Sequence, residues 1–308
     1  MKYSVIVLFE EPHKDFAQFI LSLHSFFSSR KESFEILIMA NGAGGFLRNE
    51  LSKLEQCNAR LKVFELNAAT PEAVCLKAGL KESSGEILVI CGCYKQLDNT
   101  ALAKILNSLD NATDIISPWR QYRVDPPFNQ FQSKVFNMLV RWITKTNLHD
   151  LNCNVKIVRR KVVGEIKLYG NMYRFLPILA EQHGFKTKEV KCQHYQERGK
   201  TGFYSLSSYI TRLIDIGTLY FNTRFTRKPL RFFSCIGLVC LVSGLLIAFY
   251  VFGQKILLSY PIGGRPILLL AIFFMFLGVQ AASVGLLGEM VVFTHGRHNK
   301  EYTIEKRI

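Results

Sequence analysis

The chain has 308 residues, and its 39 Lys and Arg residues exceed its 24 Asp and Glu residues by 15 positive charges. A hydrophobic fraction of 49% with 20% charged residues excludes a disordered or collagen-like chain, and the length allows a substantial core. A chain that is both apolar and basic suits either nucleic acid or an anionic membrane surface, and the positions of its cations distinguish the two.

The first 120 residues alternate short apolar runs with helix-like stretches. The N-terminal apolar run meets Glu10 and Glu11 without a small-residue cleavage site, which predicts a strand and not a signal peptide. Strands are predicted over 3–9, 35–39, 61–66, 86–90 and 113–117, and helices over 15–27, 45–57, 71–82 and 100–109. This alternation predicts an α/β domain with a mainly parallel sheet, in which ligands bind beyond the carboxyl ends of the strands.

Several common site types are excluded by their missing motifs. The eight cysteines show no CxxC spacing, which argues against a zinc ribbon and favours reduced cytosolic thiols. The first strand is not followed by GxGxxG, and GxxxxGK[ST] does not occur, so a dinucleotide fingerprint and a P-loop are both excluded.

Two segments near the C-terminus, 232–252 and 266–292, are apolar and long enough to cross a bilayer. Cations cluster before the first and after the second, whereas their connection carries only Lys255 and Arg265. The positive-inside rule then predicts a multi-pass protein of the inner (cytoplasmic) membrane, with its large N-terminal domain and both termini in the cytoplasm. Nucleic-acid binding is disfavoured, because the cations cluster at the membrane flanks and no aromatic-basic RNA motif occurs.

Residues 204–221 place apolar side chains near one face of a helix. Such a helix lies either in the membrane interface or in the core of the soluble domain, and the neighbouring basic cluster favours the interface. The predicted organisation is therefore an α/β domain over 1–203, interfacial amphipathic helices over 204–231, two transmembrane helices over 232–292 and a basic cytoplasmic tail over 293–308.

The order of these segments resembles that of the family 2 glycosyltransferases that use polyprenyl phosphate as acceptor, the group of dolichol-phosphate mannose synthase and the bactoprenol glucosyltransferases. The matching runs are SVIVLFEE, EILIMANGAGG, AVCLKAGLKESSGEILVICGC, DLNCNVKIVRRKVV and RKPLRFF. The resemblance implies a Rossmann-like GT-A domain over 1–203. It also implies transfer of a sugar from a nucleotide sugar to undecaprenyl or dolichyl phosphate in a cell-envelope glycan pathway.

The resemblance further implies Mg²⁺ or Mn²⁺ held by an Asp-x-Asp pair, because a diphosphate leaving group concentrates negative charge. The matching positions here are Cys91, Gly92 and Cys93, and thiols are poor ligands for Mg²⁺. Lys95 falls where a metal-assisting Gln often stands, and Gly202 falls on the position of a phosphate-binding Lys. We therefore expect the family's metal ligands to be absent and predict no metal site.

The resemblance assigns the site residues in three groups. Glu10, Asn41, Cys91 and Cys93 fall in the nucleotide-sugar site. Asp150, which Lys156 follows, is expected near the transferred sugar, and Lys95 is expected to replace the charge of the metal, so Asp150 and Lys95 are predicted to be catalytic. The residues expected at the acceptor phosphate offer charged or hydroxyl donors: Arg120, Arg123, Ser133, Lys134, Arg174, Arg198, Lys200 and Thr201. Each cation taken alone is a solvated surface charge, and only the set indicates a phosphate site.

Two main functions stay open. A divergent transferase can work without a metal, since an acceptor phosphate is already ionised at neutral pH and needs no strong base. Alternatively, the fold persists without catalysis, and a pseudo-glycosyltransferase binds undecaprenyl phosphate or a partner membrane enzyme, or pairs with an active paralogue. A homo-oligomer is a further possible assembly. A metal or redox site built on Cys91 and Cys93 would have two thiolates of the four ligands that structural zinc needs, with His149 and Cys153 as the remaining candidates.

Overall fold

The computed structural model describes residues 1–9, 15–41, 54, 60–68, 70–121, 126–151, 153–166, 170, 172–193, 195, 206–220, 229–258 and 266–296. The chain divides into two compact units, Met1–Leu219 and Tyr220–Ile308.

Seven strands of the described chain form one sheet in the first unit, in the order β3-β2-β1-β4-β6-β5-β7. Their bounds are β1 Tyr3–Phe9, β2 Phe34–Asn41, β3 Leu61–Leu66, β4 Ile87–Cys91, β5 Ile115–Gln121, β6 Lys156–Arg159 and β7 Thr187–Gln193. The short strand β6 runs antiparallel to its neighbours β4 and β5, and the other pairs are parallel. The mainly parallel sheet predicted from the sequence is confirmed, and the buried, apolar β1 and β4 are typical of strands covered on both faces.

The helices of this unit cover both faces of the sheet. Their bounds are α1 Phe16–Ser29, α2 Glu72–Glu82, α3 Asn99–Asn107, α4 Pro127–Thr144, α5 Arg160–Glu165, α6 Leu176–Gln182 and α7 Leu206–Tyr220, with a 3₁₀ turn at Met172–Phe175. The five predicted strands and the predicted helices α1, α2 and α3 are present within a few residues of their expected bounds. The predicted helix 45–57 lies outside the described residues, apart from Leu54.

Successive side chains of β1 point alternately into two hydrophobic clusters, one on each face of the sheet. Val5, Val7 and Phe9 join a cluster that receives α1 and α3. Ile6 and Leu8, on the opposite face, join a cluster that receives side chains from α2, α4, α6 and α7. Helices α4 and α7 therefore pack onto the same face of the sheet.

A buried carboxylate on β2 links the starts of the neighbouring parallel strands. Glu35, only 1% exposed, accepts hydrogen bonds from the Ser4 hydroxyl at 2.8 Å, the Ser84 backbone N–H at 2.6 Å and the Lys62 ammonium at 2.8 Å. Burial alone would raise the pKa of Glu35, but these donors outweigh it and lower the pKa to about 2. The neighbouring Gly85 is also constrained, because an added Cβ would lie 2.5 Å from the Ser4 nitrogen.

The second unit contains two long helices, α8 Pro229–Leu258 and α9 Pro266–Gly296. Their apolar stretches of 28 and 29 residues are long enough to cross a membrane, and only 17% and 11% of their most apolar windows are buried, unlike a core helix. The helices run antiparallel as a hairpin, with Gly237 against Gly278 and Gly244 against Met275. An added Cβ on Gly237 would lie 2.7 Å from the Gly278 carbonyl oxygen, so glycine permits this close contact. These helices fit membrane association.

Candidate functional site

A cavity of about 120 Å³ opens at the carboxyl ends of β1 and β4. Parallel sheets place ligands at this edge, which agrees with the location expected from the strand pattern. Its lining residues come from five separate parts of the chain: Leu8, Glu72, Gly92, Cys93, Tyr94, Asn154 and Tyr173.

The two thiols that replace the Asp-x-Asp pair are poor metal ligands here. Cys91 is 2% exposed, its Sγ lies 3.8 Å from the Ile6 carbonyl oxygen, and burial raises the pKa of the thiol far above its ordinary range. Cys93 borders the cavity, where Glu72 is the one carboxylate among the seven lining residues. Within the described ranges, no group of three or more His, Cys, Asp or Glu residues could hold a metal ion. The described residues around the cavity therefore do not fit the Mg²⁺ or Mn²⁺ that the fold family implies.

The other candidate ligands for a cysteine-based metal site are engaged elsewhere. The ring of His149 stacks on Trp119 with centroids 4.1 Å apart, and its Nδ1 lies 2.8 Å from the Glu189 carboxylate. The Cys153 thiol donates to the Gln96 side-chain oxygen at 3.7 Å. The described structure thus does not assemble Cys91, Cys93, His149 and Cys153 into a metal or redox centre.

Positive charge lies close to the cavity carboxylate. Burial raises the pKa of Glu72, while the cations of Arg174 and Lys156 oppose that rise. Lys156 is fully buried; its ammonium donates to the Cys153 carbonyl oxygen at 2.7 Å and lies 5.1 Å from the centroid of the Tyr173 ring. Burial lowers the pKa of Lys156 to about 8, despite the nearby negative charges that favour its protonated form.

Arg174 follows the cavity-lining Tyr173 in the 3₁₀ turn. Its Nε is buried and has no hydrogen-bond partner among the described residues. A buried guanidinium N–H without a protein acceptor is costly unless a ligand supplies one. Tyr173 is itself fixed, because its hydroxyl donates to the Asn154 carbonyl oxygen at 2.5 Å.

Asp150 and Arg120, predicted as separate catalytic and phosphate-binding residues, form one buried ion pair. Arg120 Nε and Nη2 donate to the two Asp150 carboxylate oxygens at 2.7 and 3.1 Å. Both residues are 3% exposed. Glu189 accepts hydrogen bonds from the backbone N–H groups of His149 and Asp150 at 2.6 and 3.1 Å, which fixes the turn that presents the carboxylate. In the described structure these groups satisfy each other, and neither presents a free surface to a ligand.

Lys95, the other predicted catalytic residue, pairs with Asp98 at 3.1 Å and lies 4.6 Å from the centroid of the Tyr195 ring. It is not among the residues that line the cavity. The next residue, Gln96, is 3% exposed and accepts the Asn154 backbone N–H at 2.9 Å. The loop after β4 is therefore tied to the segment before β6 by a glutamine whose role the sequence pattern did not indicate.

The remaining predicted residues are dispersed. The side chain of Asn41 exchanges hydrogen bonds of 2.6 and 2.7 Å with the backbone of Thr70, which holds the loop before α2. On α4, Ser133 is buried on the inner face and Lys134 is exposed. Five predicted site residues lie outside the described residues: Glu10, Arg123, Arg198, Lys200 and Thr201.

Sequence reasoning did not assign roles to Glu72, Tyr173, Asn154 or Lys156. A lysine inside the apolar run VKIV is a signal that could have pointed to a buried charge at Lys156. Glu72 stands at an ordinary helix start after a proline, and no local pattern distinguishes it from a solvated first-turn carboxylate.

Known proteins are similar to this chain over three quarters of its length or more. No family model matches the chain. It is 27% identical over 241 residues to the dodecaprenyl-phosphate galacturonate synthase of Rhizobium johnstonii, covering 77% of this chain and 71% of that protein. It is 28% identical over 236 residues to the undecaprenyl-phosphate 4-deoxy-4-formamido-L-arabinose transferase of Pectobacterium carotovorum, covering 76% of this chain and 71% of that protein. The Salmonella choleraesuis transferase of the same name matches over 311 residues at 22% identity, covering 100% of this chain and 94% of that protein.

Solved structures support the fold. The Mycobacterium tuberculosis glucosyl-3-phosphoglycerate synthase, determined with Mn²⁺, uridine diphosphate and glucosyl-3-phosphoglycerate, superposes with a TM-score of 0.51. The match covers 72% of this chain and 79% of that chain at 9% identity, so it shows the GT-A fold alone. The fold and the relatives together confirm the resemblance predicted from the sequence motifs. The chain is similar in sequence to polyprenyl-phosphate sugar transferases and has the GT-A fold.

Proposed function

We propose that this protein is a membrane-bound glycosyltransferase that transfers a sugar from a nucleotide sugar to a polyprenyl phosphate. The observation that carries the proposal is the full-length match to an undecaprenyl-phosphate sugar transferase, which extends through both apolar helices. An acceptor with a polyprenyl tail stays in the bilayer, so an enzyme that uses it needs a membrane attachment of this kind.

The cavity at the ends of β1 and β4 is the proposed site of the donor. In the transfer, an oxygen of the acceptor phosphate attacks the anomeric carbon, and the new carbon–oxygen bond forms as the bond to the nucleoside diphosphate breaks. The diphosphate leaves with the bonding electrons. Because the attacking phosphate is ionised at neutral pH, the step requires no strong general base. This relaxed requirement suits a site whose predicted catalytic Asp150 is engaged with Arg120.

Protein cations are proposed to stabilise the charge that develops on the leaving diphosphate. Lys156 lies near the cavity in a low-dielectric interior, where a fixed charge acts strongly without direct contact. The Nε of Arg174, which has no partner in the described part of the chain, is a suitable donor for an anionic oxygen. Lys95 would first have to leave Asp98 to take the same role. The reaction is therefore expected to proceed without a divalent metal.

We infer the orientation of the protein from the distribution of its cations. Basic residues flank the two apolar helices on the side of both termini, and the connection carries only Lys255 and Arg265. We infer a multi-pass protein of the inner membrane, with both termini and the large domain in the cytoplasm. A second copy or a paralogue as partner stays a prediction.

The test is a transfer assay with the purified full-length chain, undecaprenyl phosphate and a panel of labelled UDP- and GDP-sugars, with and without EDTA. We expect one donor to yield a glycosylated lipid phosphate, with a rate that EDTA changes by less than about twofold. Arg174→Gln is expected to lower kcat/KM at least tenfold. The exposed Lys81→Gln is the matched control and should leave it unchanged.

Different results of this assay would contradict different parts of the proposal. Strict dependence on Mg²⁺ or Mn²⁺ would contradict the metal-free mechanism and leave the transferase assignment intact. A chain that binds no nucleotide sugar and forms no product with any donor would instead be a pseudo-glycosyltransferase.

A further inference from the structure

Helix α9 carries a polar side chain, Gln280, at its middle. Gln280 lies 14 positions from each end of the apolar stretch Pro266–Thr294. At 1.5 Å per residue, its Cα is about 21 Å from either end of that stretch. The hydrocarbon core of a bilayer is about 30 Å thick, so a helix that crosses the membrane as proposed places Gln280 near the centre of the core.

The side chain of Gln280 lies on the side of α9 that faces away from α8. Gly278 and Gly285 mark the face that packs on α8, because an added Cβ on them would lie 2.7 and 2.8 Å from atoms of that helix. Gln280 follows Gly278 by two residues, which turns it about 200° around the helix axis. It is exposed on the surface of the hairpin, so α8 does not shield it from lipid.

Gln280 differs from other polar side chains of the hairpin, which have partners within it. Ser243 and Ser283 donate to the backbone carbonyls four residues earlier, Gln254 donates to the Tyr250 hydroxyl, and Glu289 accepts the Leu230 backbone N–H. Gln280 has no hydrogen-bond partner among the described residues. An amide left without hydrogen bonds in hydrocarbon is strongly unfavourable, so this group needs a partner from outside the hairpin.

The surface around Gln280 suits contact with another helix. Phe273, Phe276 and Leu287 are each more than half exposed, and they lie three, four or seven positions apart along α9, on the face that Gln280 shares. The small Ser283, three residues after Gln280, leaves room for the close approach of a second helix. We call these five residues the Gln280 face.

A second copy of the chain supplies a matching amide. Copies of one membrane protein insert in the same orientation, so a two-fold axis along the membrane normal places both Gln280 residues at one depth. An amide has both an N–H donor and a carbonyl acceptor, so two copies of Gln280 can each donate to the other. A different protein would need its own polar group at this same depth.

We propose that the Gln280 face of α9 is a self-association surface, on which the amides of two copies exchange hydrogen bonds near the centre of the bilayer. The inference rests on the membrane attachment in the proposed function and is independent of its catalytic activity. It names the residue through which a second copy would bind.

The test measures association of the full-length chain in liposomes. Two pools of protein carry a donor or an acceptor fluorophore on a C-terminal tag, and energy transfer is recorded as added lipid dilutes the protein. Gln280→Met has a side chain of similar length without hydrogen-bonding groups, and Gln280→Asn keeps the amide. Gln254→Met is the matched control, because Gln254 donates to Tyr250 of its own helix.

We expect wild type to associate, with energy transfer that falls as lipid is added. Gln280→Met should weaken the association about tenfold, because two interhelical hydrogen bonds are lost. Gln280→Asn should recover part of the loss, and Gln254→Met should match wild type.

Cross-linking tests the same contact if Gln280→Met does not enter liposomes. In native membranes treated with copper phenanthroline, which oxidises paired thiols to a disulfide, Gln280→Cys should form a linked dimer above the background of the native cysteines. Leu286→Cys is the matched control. Leu286 is also exposed but lies about 120° from Gln280 around the helix, so this variant should stay at background.

Three results would overturn the proposal. The first is a wild type that is monomeric at every ratio of protein to lipid, which means that the amide is met by its own backbone or by another protein. The second is association as tight in Gln280→Met as in wild type, or no cross-linking of Gln280→Cys, which means that copies meet through another face. The third is failure of the wild type to enter liposomes, which also contradicts the proposed membrane attachment. Loss of transfer activity with the association intact would instead overturn the catalytic assignment alone.

Discussion

At the scale of single residues, the buried charges of the first unit are paired or hydrogen-bonded. Arg120 and Asp150 form two hydrogen bonds at 3% exposure, and the ammonium of Lys156 is held by a backbone carbonyl. An isolated buried charge would cost several kcal/mol, so a fold can keep such groups only where partners meet them. Arg174 departs from this pattern, because its Nε has no hydrogen-bond partner among the described residues, which is why it is included in the proposed donor site.

Glu35 allows a residue-scale prediction about acid stability. Its pKa of about 2 in the folded chain lies below the usual 4.5, so its contribution is present above pH 4.5 and is lost as the pH falls toward 2. Glu35→Gln is expected to lose roughly 3 kcal/mol of stability at neutral pH and to lower the thermal midpoint by about 5–10 °C.

Thermal unfolding of the detergent-solubilised chain between pH 7 and pH 3 measures this effect. The gap between wild type and Glu35→Gln should narrow as the pH falls below 4.5, and the exposed Glu65→Gln should match wild type throughout. A gap of constant size across the pH range would show that the carboxylate charge is not the source of the stability.

At the scale of elements, the hairpin of α8 and α9 depends on small residues at its contact. Added Cβ atoms on Gly237 and Gly278 would each lie 2.7 Å from the carbonyl oxygen of the other glycine. Leu230, the second residue of α8, has its backbone N–H 3.3 Å from the Glu289 carboxylate, so the one acidic residue of α9 lies at the start of its partner helix.

Gly237→Ala and Gly253→Ala form a matched pair on α8. The first change introduces a clash with backbone of α9, whereas nothing lies within 4 Å of a Cβ added at Gly253. We expect Gly237→Ala to cost about 1–3 kcal/mol, and Gly253→Ala to be neutral or slightly stabilising because alanine favours helix. Thermal midpoints in one detergent measure both. Equal effects of the two changes would contradict this packing of the hairpin.

At the scale of the whole molecule, the chain combines a GT-A domain with a pair of helices that fit a membrane. The excess of 15 positive charges fits this combination, because cations concentrate at the flanks of the apolar helices. These are the places where a protein meets anionic lipid headgroups.

The inferred orientation predicts the behaviour of reporter fusions in bacterial cells. Alkaline phosphatase fused after Arg265 should be active because the connection would lie outside the cytoplasm, whereas the same enzyme fused after Ile308 should be inactive. A fluorescent protein that folds only in the cytoplasm gives the reciprocal readout at both positions. Activity of the phosphatase at the C-terminus would contradict the orientation.

The sequence by itself determined the fold class, the strands of the first half and the two apolar helices. These features depend on hydrophobic periodicity and segment length, which are local properties of the chain. The periodicity also distinguished the buried β1 from the amphipathic α1. The periodicity did not indicate that β6 runs antiparallel between β4 and β5, because strand order and direction depend on contacts across the sheet.

Only the tertiary structure decided which charged groups meet. Arg120 and Asp150 are 30 positions apart and come together because β5 and the segment before β6 are brought side by side. In the same way, Glu72, Lys156 and Tyr173 approach one cavity from distant parts of the chain, while Lys95 pairs with Asp98 within its own loop. The burial of a charged group and the partners that surround it determine the free energy of its ionised form. Both are set only when remote segments of the chain pack together.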